Sequence, residues 1–346
     1  MASAGGRRWR ALPALVVLCA AAAAVGGCSS PGGGATAAKS RLQGDYVAVV
    51  SKFLSSVVEI QAGSTEGSGV VYDTRGDIVT NAHVVGASKK FEVRASALST
   101  PLRARLIGEF APDDLAVIRV LSHAKSLRPV RWADSAKVQA GQIVLAMGSP
   151  YGLIDSVTQG IVSATGRLVT GPAVKGQPPA VISDAIQTSA AINPGNSGGA
   201  LVLLSGYVLG IPTLTAKDPQ LGTAAEGIGF AIPANTVRAI ASQLIKTGRV
   251  TKSDRASLDF TGRTHTSPLG KPDGVTVDAV WPGGSAAGAG IAVGEVIVGV
   301  GGKQTLNLNQ LDSVLIDFAP GRRVSVEILR DGNPHQVTAK LGSLRS

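Results

Sequence analysis

Residues 185–204 read AIQTSAAINPGNSGGALVLL: an apolar run at Ala185 to Thr188, a bend crowded with Gly and Asn, and a second apolar run at Ala200 to Leu204. Short strands joined by Gly-rich bends mark a β-dominated chain, and the same rhythm extends outward on both sides. Val57 to Ile60, Val70 to Tyr72, Ile78 to Thr80, Phe91 to Val93, Leu115 to Val120, Ile143 to Met147, Gly160 to Ser163, Val208 to Ile211 and Gly229 to Ile232 are runs of the same kind. Gly, Pro, Asp and Asn punctuate them at the spacing of a sandwich or barrel. With Gly at 44 of 346 residues and aromatics at 4%, the composition favours turns over long helices. Two helices are predicted: a short one capped by Asp45, with Val47, Val50 and Leu54 on one face, and an amphipathic one from Pro233-Ala234-Asn235 to Lys246, ended by Gly248. Residues 45–250 are read as one domain.

The N-terminal stretch has a different character. Arg7, Arg8 and Arg10 precede the apolar run Ala11 to Val25, which ends in small residues, the layout of an export signal. Interrupted by Pro13, the run falls short of the ~20 residues that cross a bilayer. Val25-Gly26-Gly27-Cys28 resembles the bacterial lipobox, which implies cleavage before Cys28 and a lipid on its thiol. Residues 1–27 are therefore read as a lipoprotein signal peptide. Residues 28–44 are read as a lipidated flexible tether, because Ser29 to Ser40 is rich in Ser, Pro, Gly, Ala and Thr.

Cys19 leaves with the leader, so the body keeps no thiol for a disulfide or a cysteine-ligated metal. His123, His265 and His335 have no metal-ligand spacing, and neither metal nor cofactor is expected. After loss of the leader 30 basic and 23 acidic side chains remain, scattered singly or in pairs without interleaved aromatics. That pattern argues against nucleic-acid binding and suits a weak pull toward anionic lipid.

Arg249 to Asp254 reads as a polar connector. Beyond it, residues 255–346 hold strand Val275 to Val280, a helical turn after Ser285, strand Glu295 to Val300, helix Leu308 to Phe318 with Asn307 as cap, and a hairpin turning at Asp331-Gly332. This is a compact α+β module.

The chemistry centres on Gly195-Asn196-Ser197-Gly198-Gly199. A nucleophilic serine needs flanking backbone that bends sharply and aims N–H groups at one point, and glycine permits both. The N–H groups of Gly195 and Ser197 are candidate oxyanion donors, one of which is worth ~3 to 4 kcal/mol in a working site. Thr80-Asn81-Ala82-His83-Val84-Val85 places a His at a strand end, and Asp113-Asp114-Leu115-Ala116 places an acid at the start of a buried strand. The resulting order of His83, Asp114 and Ser197 is that of chymotrypsin-like β-barrels, not of subtilisins or α/β-hydrolases.

At these residues the chain resembles the HtrA (Deg-type) family of bacterial serine proteases with PDZ domains. The motifs are Gly67-Ser68-Gly69, Thr80 to Val85, Asp114 to Ile118, Gly148-Ser149-Pro150-Tyr151-Gly152, Gln187 to Gly199 and Gly227-Ile228-Gly229-Phe230-Ala231-Ile232-Pro233. The resemblance implies a mainly β chain, a chymotrypsin-like double β-barrel protease domain followed by a small α+β PDZ domain at 255–346. It implies His83 as general base, Asp114 as the acid that orients it, and Ser197 as nucleophile, with Asp113 an idle neighbour. It also implies that the Gly227 to Phe230 strand pairs with substrate and that Ile192 and Ile228 line a small apolar pocket. Arg167 is implied as a regulatory residue coupling PDZ occupancy to the oxyanion turn, and Leu258, Asp259 and Phe260 as part of the PDZ groove.

The partners so implied are unfolded or peptide substrates, a PDZ-bound peptide, a membrane reached through the lipid anchor, and a homotrimer, for which Tyr46 and Phe53 are the apolar contact candidates. The location is the outer face of a bacterial membrane. A non-proteolytic chaperone or peptide-binding scaffold on the same fold is the alternative. Ser189 stands where the family usually has an acid, and Asp259 where it usually has a Gly in the loop that receives a peptide's terminal carboxylate. An acid there would favour internal or amidated segments.

Overall fold

The computed structural model describes residues 33–122, 125–149, 156–173, 179–193, 195–217 and 224–345. The leader, Cys28, Pro150 to Gly152 and Pro194 lie outside them. Helix α1 spans Gly33–Phe53. It corrects the reading of a coil up to residue 44 and a cap at Asp45. Ala35, Ala37, Ala38 and Lys39 are good helix formers and carry the helix toward the N-terminus. Val49 and Phe53 are buried, and Tyr46 and Val50 pack against the same core. Phe53 is thus used inside the chain's own fold and is no free contact surface.

Six strands close the first barrel: β1 (Val57–Ala62), β2 (Thr65–Val71), β3 (Asp77–Thr80), β4 (Lys90–Arg94), β5 (Leu102–Phe110) and β6 (Leu115–Val120), in the order β1-β2-β3-β6-β5-β4. The one-turn helix α2 (Ala82–Val85) follows β3. A second barrel is built from β7 (Ile143–Gly148), β8 (Ser156–Ala173), β9 (Pro179–Thr188), β10 (Ala200–Leu203), β11 (Val208–Lys217) and β12 (Ala224–Pro233), in the order β10-β11-β12-β9-β8-β7. Closure gives every strand of a barrel a partner on both sides along part of its length, which explains why so many short strands need no covering layer.

Each barrel has its own interior, with Val58, Ile60, Ile78 and Ile118 in the first and Val144, Val162, Ile186, Leu201 and Leu209 in the second. A further cluster joins them: Val70, Val79 and Val117 from the first barrel meet Leu145, Met147, Ile211 and Ile232 from the second. Helix α3 (Ala234–Thr247) adds Val237, Ile240, Ala241 and Leu244 to that shared cluster and ends at Gly248 in a left-handed conformation, φ 75°.

The C-terminal domain holds β13 (Ala256–Ser257), β14 (Phe260–Thr266), β15 (Pro272–Val280), α4 (Ser285–Gly288), β16 (Val296–Val300), β17 (Lys303–Gln304), α5 (Leu308–Leu315), β18 (Arg323–Arg330), β19 (Asn333–Lys340) and β20 (Gly342–Ser343). Its sheet runs β14-β15-β16-β18-β19, with β14 at one edge, while β13 pairs with β20. The hairpin between β18 and β19 turns on Asp331 and Gly332, both at positive φ (51° and 80°), as a two-residue turn that matches strand twist requires. Val275, Ile297, Leu311, Val326 and Ile328 fill this core. Among the described residues no helix is long and apolar enough to cross a membrane.

Leu244 is fully buried where α3 covers the seam between the barrels. Leu244→Ala is expected to lower stability by about 3 kcal/mol, because the removed methyls leave a cavity the rigid barrels cannot close. Urea unfolding with an unchanged slope and a lower midpoint checks this.

Candidate active site

Asp114 anchors the site. It follows the turn Ala111–Asp113 and adopts a left-handed backbone conformation (φ 53°, ψ 42°), which Asp tolerates better than most residues. Its side chain has no solvent exposure, and a buried charge needs donors. It has three: the His83 backbone N–H at 3.0 Å, His83 Nδ1 at 2.8 Å, and the hydroxyl of Thr213. The carbonyl of Asp114 accepts from the Ala82 N–H (3.1 Å) and from Asn81 Nδ2 (2.9 Å), locking the turn to the end of β3.

Because the carboxylate only accepts, the proton of the imidazole sits on Nδ1 and the lone pair on Nε2. Nε2 has no hydrogen-bond partner among the described residues. His83 is thus held, oriented, and ready to take a proton at Nε2.

Ser197 lies on the bend between β9 and β10. Gly195 and Gly198 have φ of 99° and 82°, and a Cβ on Gly198 would come within 2.2 Å of the Ser68 carbonyl oxygen. Only glycine serves there. The bend is tied by Gly198 N–H to the Pro212 carbonyl (3.0 Å) and Gly199 N–H to the Asn196 carbonyl (3.0 Å).

The Ser197 hydroxyl donates to the Thr213 carbonyl at 3.1 Å. Among the described residues the N–H groups of Gly195 and Ser197 have no acceptor, which leaves both for a developing oxyanion.

Two residues of this centre were given no role from sequence. Ser68, fully buried on β2, donates its hydroxyl to the Gly195 carbonyl, accepts from the Ser149 N–H (2.8 Å), and offers its own N–H to the Ser197 carbonyl (2.9 Å). It fixes the Gly195 peptide from the opposite barrel. A polar residue between two glycines on a buried strand was the available signal. Thr213 touches both Asp114 and Ser197, and its signal was a Thr continuing the apolar run of β11.

Ile192 is buried and lies against Gly229, where a Cβ would come within 2.4 Å of its side chain, while Ile228 is exposed. The pairing assigned to Gly227 to Phe230 does not hold for its last two residues. Gly229 and Phe230 are flanked on both sides, by Thr188 and Gln187 of β9 and by Thr215 and Leu214 of β11, so they offer no edge. The open edge near the nucleophile is that of Thr213 to Thr215, since β10 pairs with β11 only through Val208 and Gly210.

Arg167 is exposed and donates Nε–H to Gln187 Oε1 (3.0 Å) on the strand leading to the Ser197 bend. Ser189 accepts the Ile161 N–H at 3.0 Å, a neutral tie where the family usually has an acid. Asp113 is buried and faces Arg255, not His83.

In the C-terminal domain a cavity of about 280 Å³ between β14 and α5 is lined by Leu258 and Phe260 but not by Asp259. Asp259, at φ 55°, accepts the Ser285 N–H on the far side (3.0 Å), so its charge does not face the groove. Among the described residues no cluster of His, Cys, Asp and Glu could hold a metal.

Ser68→Ala should lower kcat by about tenfold to a hundredfold with KM within about twofold, because it frees the Gly195 peptide to turn its N–H away from the oxyanion. Steady-state kinetics with a short reporter peptide read the split.

Residues 67–211 match the trypsin-like peptidase domain family, and residues 249–341 match the PDZ domain family. The Serine protease Do-like HtrA of Lactobacillus helveticus is 37% identical over 291 residues, covering 80% of this chain and 68% of that protein. The periplasmic pH-dependent serine endoprotease DegQ of Escherichia coli is 34% identical, covering 81% of this chain and 60% of its own length. Among solved structures, the serine endoprotease from Yersinia pestis superposes with a TM-score of 0.56 at 33% identity, covering 86% of this chain and 98% of that one. The HtrA-type protease AlgW with decapeptide gives 0.56 at 28% identity, with 86% and 98% covered. A peptidase region carrying this His83–Asp114–Ser197 geometry, a PDZ region after it, and relatives alike across both place the chain in the HtrA (Deg-type) family of serine proteases.

Proposed function

We propose that the chain is an exported, lipid-anchored endopeptidase that degrades or processes unfolded proteins of the cell envelope, under control of a peptide bound to its PDZ domain. The observation that carries this reading is the buried Asp114 holding His83, beside a nucleophile bend, with His83 Nε2 and the N–H groups of Gly195 and Ser197 unengaged among the described residues. Ser197 attacks the scissile carbonyl, His83 takes its proton and returns it to the leaving amine, and Gly195 and Ser197 hold the oxyanion.

The substrate lies extended along the Thr213 to Thr215 edge, and the residue before the scissile bond meets Ile192 and Ile228. That apolar surface favours small aliphatic side chains, since a Lys or Arg there would lose its solvation without a partner. Cys28 carries the lipid, which fits the relatives whose names place them in the periplasm. The groove between edge strand β14 and α5 takes a peptide by strand addition, with Arg167 passing its occupancy toward the Ser197 bend and a homotrimer as the assembly.

A fluorophosphonate probe should label the wild type and not Ser197→Ala, and that variant should keep its fold while losing cleavage of a denatured reporter. His83→Ala should be about as severe, because members of such a triad act as a unit. If Ser197→Ala still cleaved, the scaffold reading would stand instead. Mapping of the cut sites should show a majority after Val or Ala, and a majority after Lys or Arg would rule out the assigned pocket.

A further inference from the structure

Helix α5 carries an acid where its pattern calls for an apolar residue. Leu308, Leu311, Asp312 and Leu315 stand at positions i, i+3, i+4 and i+7, on one face of the helix, and all four line the cavity between α5 and edge strand β14. Leu311 and Leu315 are buried in the domain's core and Leu308 packs against it, whereas Asp312 is half-buried beside them. The opposite wall, with Leu258, Phe260, Thr261 and Gly262, is uncharged. A carboxylate held against such a surface needs donors. This one has none: among the described residues its oxygens accept no hydrogen bond and join no ion pair.

Among the described residues the cation that lines the same cavity is Arg255, just before β13, and it is committed elsewhere. Its Nη1 donates to the Pro112 carbonyl at 2.7 Å and lies 3.5 Å from Asp113 Oδ1, at the turn that delivers Asp114. One guanidinium thus stands between two carboxylates and touches only Asp113. Burial pushes Asp113 up to about 6 and Asp312 up to about 6, in each case outweighing the pull of Arg255. The group is short of one positive charge, and the carboxylate left without it is the one that faces the cavity.

We propose that the groove between β14 and α5 selects a peptide segment carrying a basic side chain, Lys or Arg, between apolar residues, with the cation paired to Asp312. The proposal rests on the reading of this groove as a peptide site and names its ligand. A strand added beside β14 turns alternate side chains toward α5. A Lys or Arg side chain there lays its methylenes along Phe260, Leu311 and Leu315 and brings its charge to the carboxylate, and Arg can do so through two parallel N–H bonds. An acidic side chain at that position meets like charge in a half-buried site. Recognition runs through a side chain, so an internal segment serves as well as a chain end.

Pairing requires the ionised carboxylate, and a bound cation favours that form. The advantage of a basic peptide is therefore present above the free group's value of about 6 and is lost as pH falls below it. The groups that face Asp312 are Arg255, charged throughout, and the neutral side chains of β14 and α5. Asp113 titrates in the same range on the far side of Arg255, so each basic peptide is compared with its neutral counterpart.

The test uses the full chain with Ser197→Ala, which cannot consume the peptides, and short apolar peptides blocked at both ends. One central residue is Lys, Arg, norleucine or Glu, and a second set moves it by one place, so that one of the two sets faces α5. In calorimetric titrations at about pH 7.5 the Lys and Arg peptides should bind about tenfold tighter than norleucine, and Glu about tenfold weaker. At about pH 5 the Lys advantage should shrink to within about twofold. Asp312→Asn should cancel that advantage at the higher pH while norleucine binding stays within about threefold. Asp312→Leu, which completes the apolar face, should do the same, and agreement of the two separates lost recognition from a folding defect.

Equal binding of Lys and norleucine in both sets, or an undiminished Lys advantage in either variant, overturns the proposal and leaves the groove a peptide site without a preference for charge. Failure of every peptide to bind counts against the peptide-site reading and this proposal with it.

Discussion

The constraint on which the rest depends is a carboxylate with no access to water. Asp114 is tolerable inside the protein only because three donors arrive from two separate segments: the His83 main chain and ring from one, and the Thr213 hydroxyl from the other. Each donor is fixed by something else. His83 is the second residue of the one-turn helix that follows β3, Thr213 sits on β11 of the other barrel, and the left-handed backbone of Asp114 is closed by its own turn and by Asn81. Satisfying one buried charge therefore sets the relative position of both barrels, and the orientation of the general base follows from it.

The nucleophile is governed from the same seam. Ser68 comes from the first barrel and Gly195 from the second, and the bond between them joins the oxyanion turn to a fully buried strand. The apolar cluster beneath, with Val70, Val117, Met147 and Ile211 in contact, keeps that seam closed. Such cores are close-packed, so a shift of one barrel against the other is felt at both Asp114 and Ser197. Catalysis here belongs to the interface between two rigid bodies more than to any one loop.

Much of this was legible in the sequence. The strand runs, the α3 helix with its Gly248 stop and the hairpin at Asp331-Gly332 have strong local signals, and the trio of His83, Asp114 and Ser197 stood out through its flanking glycines and strand ends. β5 was missed because Arg103, Arg105 and Glu109 mask its alternation and a register shift near Leu106 breaks it. Thr213 and Ser68 were given no role because each acts through a contact between barrels, and residue type carries no record of such a contact. Gly227 to Phe230 was assigned to substrate pairing because a strand's neighbours are unknown until the barrel closes. α1 began earlier than its composition suggested, since alanines support a helix as readily as a linker.

Asp259 shows how residue type and side-chain direction part company. An acid in a loop that would receive a carboxylate predicts repulsion, and that inference holds only if the acid faces the loop. At φ 55° the residue keeps the left-handed backbone that Gly would have supplied, and its side chain turns behind the loop to accept the Ser285 N–H at the start of α4. The substitution is absorbed within the domain, at the cost of one buried oxygen, Oδ1, without a partner. The charges at that end of the groove are then those of Arg255 and Asp312, neither of which belongs to the loop. Ligand preference is set by the groups that line the cavity, and here the lining cation is the one that also holds the turn of the catalytic acid.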